Sequence, residues 1–556
     1  MTKVLSYIIG ATVAFSAQSA DIMVNQSGYL PAGDKFAYVL ADQAHEVQLV
    51  SVADGRVVVG ELERSGEISL PDERKVTAVD FSKVNHAGWY QLVTDNGQSV
   101  PFQIGDDAYL PLNDRLVHAL YLQRSGMPIQ DISTGMNRPE SHMQDGLIFR
   151  DDAFHKAGTK LDVVGGWYDA GDFGKYVATT TITVSRLLEA YRQTPQLYAQ
   201  SKLPGSDKPA IIDESIYALD WLLKMQREDG AVYRKVSGAS WPAKIGPWQD
   251  TQPRYIYGIS TPETAKFAAT MAFAARIIKP YDADLSRQYL SAAIHASNYL
   301  SGHKEQFFDW QEGDDSGSGP YMFNKFDTEV SLDTDVDERL WAYAELYITT
   351  GQEKFKQAFQ DSYDPQWIDI FEWKNPAAMG VWHLILSEEK GEFRDQLIND
   401  LDKVAARYIQ QAQESPFRVA NQRFIWGSNK MTAEAGILIA WADFAKGRLD
   451  NRASVQSQID YLLGANAFDM SFVTHSGTYS VRNLHHLYRI ATGVSLPGYL
   501  VGGPNEMAQA GVAPKNMGML SYVDSEKSYA VNEFAIDYNA SLIGLIAVHH
   551  AYFNHY

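Results

Sequence analysis

The texture of the chain changes once, near Asp107, and that change limits what it can fold into. From about residue 21 to 105 it is a series of short segments: "KFAYVL", "EVQLVSV", "RVVVGEL", "KVTAVDFS", "GWYQLVT" and "VPFQIG". They are rich in valine and aromatics and cut by Gly, Asp, Asn or Pro, which predicts strands of a small β-sandwich. Beyond Asp107 come long segments such as "IIDESIYALDWLLKMQRE", "TPETAKFAATMAFAARIIKP", "FRDQLINDLDKVAARYIQQAQ" and "NASLIGLIAVHHAYF". Their apolar residues return at three- and four-residue steps, as one face of a helix requires. "STPE", Ser260 to Glu263, has the form of a capping box. The body is therefore expected to be helical. Between its helices lie long loops that set Trp and Tyr beside Gly, Asp and Asn, such as "GASWPAKIGPWQDTQPRYIYG" and "GTYSVRNLHHLYR". Structured loops on a rigid scaffold are where sites tend to be built.

At 556 residues, 45% apolar and 12% aromatic, the chain can bury a large core. A net charge of -20 argues against nucleic acid, whose binding needs a positive footprint, and tolerates a neutral or cationic ligand. There is no cysteine, so disulfides, thiolate metal sites and cysteine nucleophiles are excluded. Residues 1–20 place Lys3 before an apolar run and small residues at Ser16 to Ala20, like a secretory signal with a cut after Ser19 or Ala20. The expectation is an exported protein, periplasmic or secreted, with no membrane span once the signal is removed.

Three constellations can carry chemistry. In "GGWYDAGDFGKY", Gly165 to Tyr176, Asp169 and Asp172 share a glycine-framed turn. Two close carboxylates can bind calcium, cap a helix beginning near Lys175, or hold and deprotonate a water. Trp167 and Tyr168 offer faces of the kind that stack on sugar rings. In "YAVNEFAIDYNASLIGLIA", Glu533 precedes a buried helical run, either as a plain cap or as an acid whose pKa is raised by apolar surroundings. Asp537 and Tyr538 would line the same end. His485, His486 and Arg489 form the densest His/Arg cluster, suited to hydrogen bonding with polyols or a carboxylate. Adjacent histidines do not share a helical face, so a metal pair is not expected there.

These segments, taken in order, resemble glycoside hydrolase family 9. "IMVNQSGYLPAGDKFAYVL", "YLQRSGMPI", "GGWYDAGDFGKYV", "DWLLKMQREDGAVYRKV", "VDERLWAYAELYITTG", "FIWGSN", "YLLGANAFDMSFVT", "PGYLVGGPN" and "NEFAIDYNASLIG" carry the likeness over nearly the whole chain after the signal. The resemblance implies an immunoglobulin-like sandwich over 21–106 and a mainly α catalytic domain, an (α/α)6 barrel, over 107–556. It implies an inverting glycosidase with Asp172 as general base, Asp169 holding the same water and Glu533 as general acid. His485, His486, Arg489, Tyr538, Trp167 and Tyr168 would contact substrate. No cofactor or metal is required by this reading. Calcium is allowed through loop carboxylates such as Asp309, Asp314 or Asp327, without a placed site.

The chain departs from the family pattern at two points. Leu487 and Tyr488 separate the histidines from Arg489, and Asn466 is followed by Ala467. With no separate carbohydrate-binding module read after the barrel, the expectation leans to an exo-acting monomer on short oligosaccharides. Substrates ending in glucose or glucosamine are both considered, since the acidic "EGDDSG", Glu312 to Gly317, could face a cationic sugar. An endo-β-1,4-glucanase is the alternative enzyme, and a catalytically inactive sugar-binding protein the alternative from another class.

Overall fold

The computed structural model describes residues 22–41, 46–307 and 334–554. Its seam is the strand Phe36–Leu40. Ala37 and Val39 enter a core with Val24, Tyr29, Leu49, Leu92 and Phe102. Tyr38 and Leu40, on the opposite face, join the much larger core of the helical body. Both faces are covered, so "FAYVL" reads as an unbroken apolar run and not as an alternation. The strand pairs antiparallel with Ile22–Met23 on one side and Lys75–Asp80 on the other, and Glu63–Ser69 completes that sheet. The second sheet runs Val57–Val59, Gln48–Ser51, Gly88–Thr94, Gly97–Gln98, with Phe102–Ile104 also on Gly88–Thr94. Polar contacts tie this sandwich to the helices. Asn25 Nδ2 donates to Asp460 Oδ1 at 2.8 Å, Gln26 Nε2 to the Asp469 carbonyl at 2.8 Å, and Arg452 pairs with Asp34 at 2.7 Å.

Six helices form an inner ring: Val177–Gln193, Thr261–Ile278, Val336–Thr350, Ala377–Ser387, Ser428–Lys446 and Ile536–Asn554. Each packs on the next, and the last closes on the first. Six more lie outside them: Leu110–Leu122, Ala210–Lys224, Ala283–Gly302, Glu353–Ser362, Glu392–Glu414 and Arg452–Leu462. This is an (α/α)6 barrel. Outer helices such as Glu392–Glu414 bury one stripe, as their periodicity predicts. An inner helix such as Ser428–Lys446 is buried all round from Ser428 to Asp443. Several charges inside the ring are paired, which offsets the cost of burying each ion. Arg186 meets Glu434, Lys266 lies 2.6 Å from Glu338, and His383 sits between Glu189 at 3.0 Å and Glu345 at 2.5 Å.

One segment expected as loop is strand. Arg254–Ile259, the end of the "GASWPAKIGPWQDTQPRYIYG" stretch, pairs antiparallel with Tyr233–Gly238. Leu147–Ile148 and Lys175–Tyr176 flank them in a four-stranded sheet. Tyr233–Gly238 is buried at every position, which erases the alternation that would have marked it. No helix of the described residues is long and apolar enough to cross a membrane. The signal expected at 1–20, the carboxylates Asp309, Asp314 and Asp327, and the acidic Glu312–Gly317 stretch lie outside the described residues.

Candidate active site

The two acidic motifs, far apart in sequence, are joined by backbone. Ala170 and Ala535 form an antiparallel bridge, and the Ile536 N–H donates to the Asp169 carbonyl at 2.8 Å. Glu533 follows the short helix Tyr529–Asn532 in extended backbone, and its carbonyl accepts the Gly502 N–H at 2.9 Å. Its carboxylate takes the Gly171 N–H at 3.1 Å. Glycine is required at 171: a Cβ there would stand 2.6 Å from the His485 carbonyl oxygen and 2.9 Å from Glu533 Oε1. Glycine is required again at 166, where φ is +73° and a Cβ would strike the Trp221 ring at 2.6 Å.

The turn is braced from below. Lys175 is buried and donates to the Val163 and Gly165 carbonyls, each at 2.9 Å, while pairing with Asp145 at 2.9 Å. Arg254 pairs with the same aspartate at 2.7 Å and reaches the Phe173 carbonyl at 2.8 Å. Burial would raise the Asp145 pKa, but Arg254 and Lys175 outweigh it and hold that carboxyl near 2. Gln123 adds a second brace, donating to the Tyr168 carbonyl at 3.2 Å and the Ala170 carbonyl at 2.8 Å.

Above this floor opens a cavity of about 530 Å³. Asp169, Asp172, Glu533, Asp537 and Tyr538 all line it. Burial, then the neighbouring Asp172, pushes the Glu533 carboxyl well above the ordinary glutamate value. Burial, then Asp537, pushes Asp169 up to about 8. Asp172 is also raised by burial, with Arg254 and Lys235 opposing. Asp169 accepts from the Thr179 hydroxyl. Neither aspartate caps the helix that follows: it begins at Val177, with Tyr176 at its N-cap and no side-chain cap bond. Among the described residues no group of three or more His, Asp or Glu side chains could hold a metal ion.

Five residues expected at the substrate do not line this cavity. Trp167 is fully buried and its indole donates to Glu214 Oε2 at 2.9 Å. Tyr168 is buried with its hydroxyl on Ser141 at 2.8 Å. Both point under the turn because Gly165 and Gly166 reverse the chain there. His486 is buried against Gln123 at 2.9 Å. His485 bonds the Glu526 carbonyl at 2.6 Å. Arg489 is used by Glu526 at 3.1 Å and by the carbonyls of Arg482 and Leu484, which hold it in its own loop. The aromatic rim is made instead by Trp241, Trp373, Trp426 and Tyr529. Trp241 is 60% exposed and Trp426 42%, with the Trp426 and Tyr529 rings 5.8 Å apart. The sequence signal of Trp241 and Trp426 was the loop aromatics themselves, in "GASWPAK" and "FIWGSN", which stand beside no carboxylate motif, whereas Tyr529 opens the Glu533 segment itself.

The family model described as glycosyl hydrolase family 9 matches residues 109–546. The chain belongs to glycosyl hydrolase family 9. A second model, the cellulase N-terminal ig-like domain, matches residues 17–99. A xyloglucan-specific endo-beta-1,4-glucanase of Bacteroides ovatus is 31% identical, over 94% of this chain and 92% of that protein. A cellodextrinase of Butyrivibrio fibrisolvens is 28% identical, over 94% and 98%. The crystal structure of a metagenome-derived glycoside hydrolase family 9 endoglucanase superposes with a TM-score of 0.87 at 37% identity, covering 95% of this chain and 98% of that one. This family 9 chain is a glycoside hydrolase, and its substrate is a glycan.

Proposed function

We propose that the protein is an endo-acting β-1,4-glucanase that inverts the anomeric carbon, with Glu533 as general acid and Asp172 as general base. The observation that carries this is a half-buried carboxyl at Glu533, set by the Gly171 amide into the same cavity as the two aspartates. Burial and the neighbouring Asp172 favour the neutral form of this glutamate, which can give its proton to the departing glycosidic oxygen as the C1–O bond breaks. Asp172 takes a proton from the water whose oxygen bonds C1 from the opposite face. Asp169 holds that water. After release, Glu533 regains a proton from solvent and Asp172 loses one to it. Trp241, Trp373, Trp426 and Tyr529 supply apolar faces for successive sugar rings.

The names of the Bacteroides relative and of the similar crystal structure support internal cleavage of a β-1,4-glucan. The name of the Butyrivibrio relative supports a second reading, action on short cello-oligosaccharides. The glucosamine arm of the exo expectation rested on an acidic segment outside the described residues, and neither of those relatives carries that activity in its name. Export stays with this reading as a proposal from residues 1–20. Viscosity and reducing ends measured together on soluble cellulose separate the two actions. A fall in viscosity well ahead of sugar release supports the endo reading, and the two changing in step would replace it with the exo one.

A further inference from the structure

Beneath the two aspartates lies an ion pair that the reaction as described does not use. Asp537 stands in the first turn of Ile536–Asn554, buried, with Oδ2 2.9 Å from Lys430 Nζ. Lys430 stands in the first turn of Ser428–Lys446, buried, and lies 3.6 Å from Glu372 as well. Both side chains line the cavity. Asp537 Oδ1 has no hydrogen-bond partner among the described residues. The Ile536–Asp169 backbone hydrogen bond keeps the two carboxyl-bearing segments at a fixed offset.

We infer that the Lys430–Asp537 pair is a positioning unit for this reaction, whose fixed charges decide how Asp169 and Asp172 share a proton. The inference rests on the proposed roles of those aspartates. Asp537 sets a negative charge beside Asp169, and Lys430 on its far side keeps that charge in place. Ionising Asp169 then brings a second negative charge beside Asp537. Asp169 keeps its proton and can donate a hydrogen bond, and the single charge of the aspartate pair resides on Asp172, where the base needs it. The groups facing Asp169 are Asp537, Asp172, Lys430, Glu533, Tyr538 and the Thr179 hydroxyl. Those facing Lys430 are Asp537, Glu372 and Glu434, the last taken up by Arg186. Burial alone would lower the Lys430 pKa, and Asp537 with Glu372 outweighs it.

The test is the acid limb of kcat/KM against pH, which reports the free enzyme's base. Asp537→Asn removes the negative charge and should move the limb to lower pH by about half a unit or more. Lys430→Met removes the positive one and should move it to higher pH. In Lys430→Met, kcat should drop about tenfold or more with KM within about twofold, and Lys430→Arg should restore most of it. Limbs that coincide with the parent's, with loss only in Tm or kcat, make the pair structural and overturn the inference. Should Lys430→Met fail to fold, Asp537→Asn decides alone, an unmoved limb overturning it. Asp172→Asn separates this from the site reading: full activity there rejects the base assignment, whatever the limbs of the pair variants do.

Discussion

As the proposed general acid, Glu533 has to hold a proton that an exposed glutamate would lose well below neutrality, and its surroundings favour that. Burial and the Asp172 charge both favour the neutral acid. Activity should therefore fall on the alkaline side as Glu533 ionises, and on the acid side as Asp172 protonates. Glu533→Gln should remove about a thousandfold or more of the rate on natural glycans. It should spare substrates whose leaving group needs no proton, and the alkaline limb should vanish with them. Asp169→Asn should weaken turnover without erasing it, since that residue holds water and does not take its proton. A silent Asp169→Asn would remove Asp169 from the site. The carboxylates that meet in the cavity were legible because DAGD and the Glu533 segment have few other uses for acids framed by glycine and apolar residues. Trp167 and Tyr168 were misread because composition does not tell which side of a turn a ring faces. That side was set by the positive φ of Gly165 and Gly166, and the real rim of Trp241 and Trp426 comes from other loops.

At the scale of elements, the inner ring is held by charges as well as by apolar packing. His383, on Ala377–Ser387, ties Glu189 of Val177–Gln193 to Glu345 of Val336–Thr350. Burial would lower its pKa, but the two glutamates outweigh burial and raise it above 6.5. A raised value means that the stabilisation is fully present below the unfolded pKa and is lost as pH rises through the folded one. The thermal midpoint should fall across that upper window, measured by calorimetry. His383→Asn should cost about 1.5–3 kcal/mol by removing one partner from glutamates that Arg192 and Arg276 still pair, and should flatten the pH dependence. A variant as stable as the parent at neutral pH would mean the two arginines suffice. The helices themselves were legible from periodicity on the outer ring, where one stripe is buried. The inner helices and the strand Tyr233–Gly238 were harder, because a segment buried on all sides loses its period.

For the whole molecule, the sandwich is part of the barrel's core and not a loose appendage. Tyr38 packs edge-on to Phe417 with ring centroids 5.1 Å apart, and Asn25 and Gln26 hydrogen-bond into the helical body. Tyr38→Ala should cost about 3–5 kcal/mol, comparable to losing a core phenylalanine. It should lower a single shared unfolding transition; two separate transitions would show the units to be independent. The switch from strands, ending at Phe102–Ile104, to helices, beginning at Leu110–Leu122, was legible from the change of texture near Asp107, but the docking was not, since it depends on which face of Phe36–Leu40 meets which helix. What the assembled molecule does is tested most directly by its first product. A defined β-1,4-linked glucose oligosaccharide, hydrolysed in an NMR tube and read before mutarotation, should release the α-anomer first. If the β-anomer appears first, the enzyme retains configuration, and the pairing of Glu533 as acid with Asp172 as base is wrong.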